Sequence, residues 1–86
     1  MDYLKLNSAR RILQTVASNN GSYTWYNIVK TVDQMDDVEK LPPTYEVLKE
    51  LTRLMHLRVD TPEGDNASKY WITKSGLAFL SRTGGN

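Results

Sequence analysis

Apolar residues repeat with the period of an α-helix in the first quarter of the chain. From Ser8 onward they recur at i, i+3, i+4 and i+7 spacing. They are Ala9, Ile12, Leu13, Val16 and Ala17. The pattern predicts a helix over residues 8–19, with Asn7 or Ser8 capping its first turn and Gly21 following its last.

A second, shorter helix is predicted over residues 24–33. Its sequence "WYNIVKTV" carries Ile28, Val29 and Val32, and Thr24 before it is a residue type that caps helix starts. In the preceding "GSYT", Ser22 and Tyr23 are predicted to pair at the edge of a small sheet. The segment 33–41, "DQMDDVEKL", is polar and predicts a solvated connector.

The third predicted helix, over residues 42–56, opens with two prolines. Proline is tolerated in a first helical turn, where its missing N–H has no partner. Five residues fall within about a hundred degrees of arc on a 3.6-residue wheel. They are Tyr45, Leu48, Leu51, Thr52 and Met55. This stripe predicts the side of the helix that meets the core.

Alternating residues then predict a β-hairpin over residues 57–73. Leu57, Val59 and Thr61 alternate with polar residues, and "KYWIT" alternates again after the turn-rich "PEGDNAS". Trp71 alternates away from the apolar side, so it is predicted to be an exposed ring and an interface anchor.

A last helix is predicted over residues 73–82. Thr73 is placed to cap its first turn, and Leu77 and Leu80 are predicted to point at the core. The elements together predict a single α+β domain spanning residues 1–86, with a core of three helices, a hairpin and a short final helix.

Composition narrows the class of protein. The 86 residues are 40% hydrophobic and 24% charged, which suits one small globular domain. There is no cysteine, which excludes disulfides and thiolate metal sites, and no apolar run of about 20 residues that would span a bilayer. A soluble cytoplasmic protein without metal or cofactor is expected. His56, the only histidine, has no candidate catalytic partner, so no enzymatic activity is expected.

The charge is unevenly distributed. The net charge is only +1, from 11 basic and 10 acidic residues. Four of the acids lie in the connector, at Asp33, Asp36, Asp37 and Glu39, which leaves 11 basic and 6 acidic residues elsewhere, a balance of +5. An excess of basic residues outside the connector is compatible with a phosphate-bearing partner.

The order of elements and two segments resemble the winged helix-turn-helix domains of bacterial and phage regulators of the PadR and MarR kind. "TYEVLKELTRLMHLRVD" is similar to their third helix and first wing strand, and "KYWITKSGLAFL" to their second wing strand and following helix. These families often place glycine where His56 stands, in a left-handed turn that histidine also tolerates.

The resemblance implies a DNA-binding transcription regulator that places helix 42–56 in the major groove. It is expected to act as a homodimer on a palindromic site. The expected DNA-contacting residues are Pro43, Thr44, Tyr45, Glu46, Lys49, Arg53, Arg10, Arg11 and Lys69. Thr44 and Tyr45 are the better candidates for base contacts, since the first residues of a recognition helix reach deepest.

Two alternatives remain open. The acidic connector and the acidic turn "EGDN" favour a protein-interaction module that docks on a basic partner surface. The clustered aromatics Tyr23, Trp25 and Tyr26 favour either a core and dimer contact or, less often, the stacking of single-stranded bases. The surface pairs Glu46–Lys49 and Glu50–Arg53 leave the outer side of the third helix nearly neutral.

Overall fold

The computed structural model describes residues 3–60 and 68–83, which form an α+β domain. Within these residues there are four α-helices, a two-stranded antiparallel hairpin and a short 3-10 turn at Tyr3–Lys5. The helices are α1 (Asn7–Ser18), α2 (Trp25–Asp33), α3 (Thr44–Arg53) and α4 (Lys74–Thr83), and the strands are β1 (Leu57–Asp60) and β2 (Lys69–Ile72).

The first turn of α1 is capped by a residue that is distant in the sequence. Leu6 occupies the cap position without a side-chain cap bond, so the prediction that Asn7 or Ser8 caps the helix is wrong. Instead, the backbone N–H groups of Asn7 and Ser8 each donate to a carboxylate oxygen of Glu39 at 3.0 Å. The Ser8 hydroxyl, fully buried, also donates to Glu39 at 3.2 Å. A carboxylate therefore satisfies the free donors of the first turn and lies in the favourable field of the helix dipole.

The connector between α2 and α3 is consequently more than a solvated loop. Asp36 is exposed as predicted, whereas Val38 is buried in the core. Asp37 forms an ion pair with Arg11 and accepts the Asn7 side-chain amide on its carbonyl at 2.9 Å. The acidic residues of the connector thus bind it to α1, which sequence periodicity cannot indicate.

Helix α2 begins as predicted. The Thr24 hydroxyl accepts from the backbone N–H of Asn27, and the Asn27 side chain accepts in return from the backbone of Thr24. This reciprocal pair is a capping box and fixes the start of the helix.

Helix α3 is shorter than predicted, and its buried side is rotated. It begins at Thr44, two residues later than expected, and ends at Arg53, three residues earlier. The residues that it buries are Thr44, Val47, Leu48 and Leu51. Tyr45 is 42% exposed and Met55 is 72% exposed, so neither belongs to the core stripe.

The way in which α3 ends explains why Met55 is exposed. The N–H of Met55 donates to the carbonyl of Thr52, and the N–H of His56 donates to that of Leu51, both at 3.0 Å. This bonding pattern is the Schellman motif, which needs a left-handed residue at the position after the cap. That residue is Met55, with φ +66°, and not His56 as predicted. Because the helix ends early, the left-handed position moves back by one residue.

We predict that Met55→Gly stabilises the protein by about 0.5 to 1 kcal/mol. A left-handed L-residue carries a steric cost that glycine lacks, partly offset by the greater freedom of glycine in the unfolded chain. Urea unfolding measures the difference. Met55→Ala, which keeps a Cβ, is the matched control and should change stability little; an equal gain in both variants would contradict the conformational argument.

The hairpin has the predicted strands and direction. Leu57 pairs with Ile72 and Val59 with Tyr70, in antiparallel register. The predicted strand residue Thr61 and the acidic turn lie at 61–67, outside the described residues. Neither Ser22 nor Tyr23 is a strand residue, so the predicted pairing at the sheet edge is reduced to single backbone bonds. The carbonyl of Tyr23 accepts from the N–H of Tyr70 at 3.0 Å, and the N–H of Gly21, rather than that of Ser22, donates to the carbonyl of Tyr70 at 2.9 Å.

Helix α4 is capped by Thr73, whose hydroxyl accepts from the N–H of Gly76 at 3.0 Å, as predicted. Gly76 and Phe79 are buried, and Leu80 packs partly against the core. Leu77 is 50% exposed, so its predicted inward orientation is wrong. The inward side of α4 follows the i, i+3, i+4 spacing from Gly76, whose lack of a side chain hid it from the sequence pattern.

The core is built mainly from aliphatic residues of α1, α2 and α3. Leu57 of β1 and Phe79 of α4 close it from the side of the hairpin. Among the described residues, no helix is long and apolar enough to cross a membrane.

Candidate functional site

The outer side of α3 carries exposed polar and charged residues that the sequence predicted as DNA contacts. Tyr45, Glu46, Lys49 and Arg53 are exposed there, and Glu50 is half-buried. Exposure of these positions follows from the rotation of the helix, because burying Thr44, Val47, Leu48 and Leu51 turns the intervening residues outward. The structure therefore brings four of the predicted contact residues onto one surface.

The charges on this surface are paired within the helix. Lys49 Nζ lies 3.4 Å from a Glu46 carboxylate oxygen. Arg53 donates through Nε at 2.9 Å and through Nη2 at 2.5 Å to the two oxygens of Glu50. The hydrogen bond from Arg53 holds the pKa of the Glu50 carboxyl below its ordinary value, and Glu50 raises the pKa of Arg53. Both pairs are three residues apart. The Lys49–Glu46 pair is exposed and therefore weak, whereas Arg53 holds the half-buried Glu50 through two hydrogen bonds.

The 3-10 turn borders the same surface. Tyr3 lines a surface depression of about 370 Å³ together with four residues of α3. They are Glu46, Lys49, Glu50 and Arg53. No pattern in the sequence predicts Tyr3 at this surface, because its position beside α3 depends on how the first residues cross the domain.

Two predicted contact residues at the start of α3 have different environments. Pro43 is exposed and occupies the cap position. Thr44 is 4% exposed, and its hydroxyl donates to the carboxylate of Asp33 at the end of α2. Thr44 thus fixes the start of α3 against α2 and offers little surface to a ligand.

Exposed aromatic rings lie beside Tyr45. The rings of Trp25 and Tyr45 are 5.3 Å apart, and those of Trp25 and Tyr26 are 5.8 Å apart and nearly perpendicular. Trp25 is 48% and Tyr26 57% exposed. We call these three residues the aromatic platform. Of the aromatics clustered in the sequence, only Tyr23 packs against the core.

Cations flank the aromatic platform. The ammonium group of Lys49 lies 5.3 Å from the centre of the Tyr45 ring, in the range of a cation–π interaction. Lys30 is exposed and stands four residues after Tyr26, on the same side of α2. Lys49 and Lys30 thus lie beside the exposed rings of the aromatic platform.

Tyr70 of β2 lies near Tyr45 of the aromatic platform. Burial raises the pKa of the Tyr70 hydroxyl, and the nearby Tyr45 raises it further. Tyr70 therefore titrates later than an ordinary tyrosine and stays neutral over the physiological range.

The remaining predicted contact residues lie on other elements. Arg11 of α1 is held by the connector, donating through Nε to Asp37 at 3.0 Å and through Nη1 to Gln14 at 2.9 Å. Arg10 is partly buried, and its Nε has no hydrogen-bond partner among the described residues. Lys69 is partly buried and faces Asp60 across the hairpin. Their described contacts do not join them to α3.

Trp71 is not the exposed ring that the alternation predicted. It is partly buried, its ring lies against the backbone of Gly21, and the guanidinium of Arg58 is 5.4 Å from the ring centre. A Cβ at Gly21 would lie 2.5 Å from the Trp71 Cζ2 atom, and Gly21 has φ +76°. Only glycine fits this crossing, so Trp71 anchors the hairpin to the end of α1.

His56 participates in the junction between α3 and α4. Its Nδ1 lies 2.6 Å from the Ser75 hydroxyl, and its ring is 5.4 Å from that of Phe79. Within the described part of the chain, no group of three or more histidine, cysteine, aspartate or glutamate residues is arranged to hold a metal ion.

Comparison of the chain with protein-family models, with curated proteins and with solved structures found no match.

Proposed function

We propose that the chain is a winged-helix DNA-binding domain that regulates transcription by placing α3 in the major groove of duplex DNA. The observation that carries the proposal is the exposed side of α3. Tyr45, Glu46, Lys49 and Arg53 project outward along its length, while the opposite side is fixed in the core. A single helix with a polar outer side has the width that the major groove of B-DNA admits.

The side chains on α3 have the chemistry for reading bases and phosphates. Lys49 and Arg53 can donate to the guanine acceptors O6 and N7 or to phosphate oxygens. Glu46 can accept from the amino group of cytosine. Each cation must leave a neighbouring glutamate to make these contacts. The cost is small for Lys49, whose ion pair is exposed, and larger for Arg53, which has two hydrogen bonds to the half-buried Glu50.

We further propose that the domain binds as a homodimer. One recognition helix per chain gives a small contact area, and two-fold pairing on a palindromic site adds a second helix without a new type of contact. Two chains per palindromic duplex is the stoichiometry that this proposal requires.

Duplex binding by a charge-depleted variant tests the assignment to α3. Lys49→Ala combined with Arg53→Ala is expected to weaken binding to duplex DNA by about ten-fold or more at low salt, since both residues meet phosphates or base edges. Fluorescence anisotropy of a labelled random duplex measures the loss.

The matched control removes the same charge elsewhere. Lys74→Ala combined with Arg82→Ala takes two exposed cations from α4 and should leave duplex affinity within about two-fold of the parent. An equal loss in both double variants would show that α3 is not the contact surface.

The second candidate function is a protein-interaction module. It is favoured by the pairing of the basic side chains, since Lys49, Arg53 and Arg11 each contact a carboxylate of the same chain. A surface neutralised in this way attracts phosphate weakly and suits a partner protein. Absence of duplex binding by the parent would favour this candidate.

A further inference from the structure

The aromatic platform exposes large apolar surface that the fold does not use. Trp25, Tyr26 and Tyr45 are each more than 40% exposed, although the core of this small domain is built mainly from aliphatic side chains. Aromatic residues supply large contact areas when a partner covers them. Three such rings in contact form a patch and not a set of scattered surface residues.

The rings are arranged so that flat faces remain open. Trp25 and Tyr26 meet at 88° and Trp25 and Tyr45 at 60°, both edge-on contacts. An edge-on contact covers the edge of one ring and one face of the other, so it leaves further faces accessible. A flat, unpaired nucleobase can stack on such a face, whatever its identity.

Two lysines border the aromatic platform, one with no ion pair in the described part of the chain and one held only by an exposed ion pair. Lys49 lies over Tyr45, and Lys30, on the same side of α2 as Tyr26, has no ion pair among the described residues. Two carboxylates lie nearby: Glu46 forms an exposed ion pair with Lys49, which Lys49 leaves at small cost to reach a phosphate, and Asp33 accepts from Thr44 and keeps its charge. An apolar partner helix would bury Lys30 without compensation, whereas the phosphates of a nucleic-acid strand would meet it.

We propose that the aromatic platform binds single-stranded nucleic acid by stacking unpaired bases on Trp25, Tyr26 and Tyr45, with Lys30 and Lys49 contacting the adjacent phosphates. This activity goes beyond groove binding by α3. It depends on Trp25 and Tyr26 of α2, which the duplex proposal does not require, and it does not depend on Arg53. The two proposals can therefore fail separately.

The test is titration of the protein with a twelve-nucleotide oligo(dT) while tryptophan fluorescence and anisotropy of the labelled oligonucleotide are recorded. Trp25 should be quenched on stacking, while Trp71, held against Gly21, contributes a constant background. The salt dependence should be shallow, with a slope of about −1.4 for two phosphates at about −0.7 each. A parallel titration with oligo(U) identifies whether DNA or RNA is preferred; saturable quenching by either strand supports the stacking proposal.

Single substitutions show which residues carry the binding of oligo(dT). Trp25→Ala is expected to weaken oligo(dT) binding by about ten-fold, the loss typical of removing one stacking ring, and Trp25→Phe to restore part of it. Leu77→Ala removes an equally exposed apolar side chain from α4 and should bind like the parent. Arg53→Ala should bind oligo(dT) like the parent while losing duplex affinity. Circular dichroism checks that each variant is folded.

Three results would overturn the proposal. One is no saturable binding of either strand by the folded parent at low salt. Another is undiminished binding by folded Trp25→Ala. The third is conversion of a dimeric parent to a monomer by Trp25→Ala in sedimentation, which would show that a second copy of the chain covers the platform. Duplex binding can persist in all three cases, so none of them decides the groove-binding proposal.

Discussion

Replacing Gly76 by alanine is expected to destabilise the protein by about 1 to 2 kcal/mol, the balance of a steric cost and a smaller gain in helix propensity. A Cβ at this position would lie 2.8 Å from Cγ1 of Ile72 and in steric overlap with the carbonyl oxygen of His56. That oxygen cannot move freely, because it accepts from the backbone N–H of Thr73 at 3.2 Å. Overpacking against fixed backbone typically costs 1–3 kcal/mol and sometimes more.

Helix propensity predicts the opposite sign for this substitution. Alanine is favoured over glycine by about 1 kcal/mol within a helix, so an open position in α4 would be stabilised. We expect the steric cost to outweigh this gain, because a Cβ at Gly76 would overlap the backbone carbonyl of His56, which follows α3. Ala78→Gly, at an exposed position of the same helix, isolates the propensity and should cost about 1 kcal/mol. Urea unfolding compares the variants, and a Gly76→Ala protein as stable as the parent would contradict the close crossing.

Replacing Glu39 by glutamine is expected to cost about 2 kcal/mol at neutral pH. The carboxylate accepts from two backbone N–H groups and from the buried Ser8 hydroxyl, and hydrogen bonds to a charged group are worth about 1.5–3 kcal/mol. Glutamine offers only one acceptor oxygen and turns an NH₂ group toward a backbone donor. The helix dipole also loses its compensating negative charge.

The loss of stability caused by Glu39→Gln should become smaller at low pH. Burial raises the pKa of the Glu39 carboxyl, but hydrogen bonds from Asn7 and Ser8 outweigh this effect and leave the pKa below its usual value of 4.5. A depressed folded-state pKa contributes stability that is present above about pH 4.5 and is lost as the pH falls toward the folded value. The gap between parent and Glu39→Gln should therefore narrow below pH 4.5.

Asp36→Asn is the control for the Glu39 variant. It removes the same charge from the same connector, but Asp36 is exposed and makes no ion pair among the described residues. Its stability should match the parent at every pH. Equal effects of the two substitutions on the unfolding free energy would show that connector charge, and not the cap of α1, is responsible.

The sequence predicts most of the secondary structure for a physical reason. Periodicity and local caps are encoded within a few residues, so Thr24 and Thr73 could be identified as helix caps and both hairpin strands could be located. The ends of α3 were placed less well. A left-handed residue such as Met55 depends on where the last helical hydrogen bond forms, and residue type alone does not fix that point.

Contacts between residues distant in sequence could not be predicted. Glu39 caps a helix 31 residues before it, and Trp71 packs on Gly21, 50 residues away, so neither role leaves a periodic signal. The candidate site shows the same limit. The sequence placed Trp25 beside Tyr26, but only the packing of α2 against α3 brings Tyr45 to them.

The central claim, that α3 meets duplex DNA, is tested most directly by measuring the affinity for a random duplex as salt is varied. For several phosphate contacts the logarithm of the binding constant should fall steeply with the logarithm of salt concentration, by about 0.9 per phosphate. The slope should be reduced by about 2 in the Lys49→Ala and Arg53→Ala double variant. No duplex binding by the folded parent at low salt, or a slope unchanged in the double variant, would contradict it.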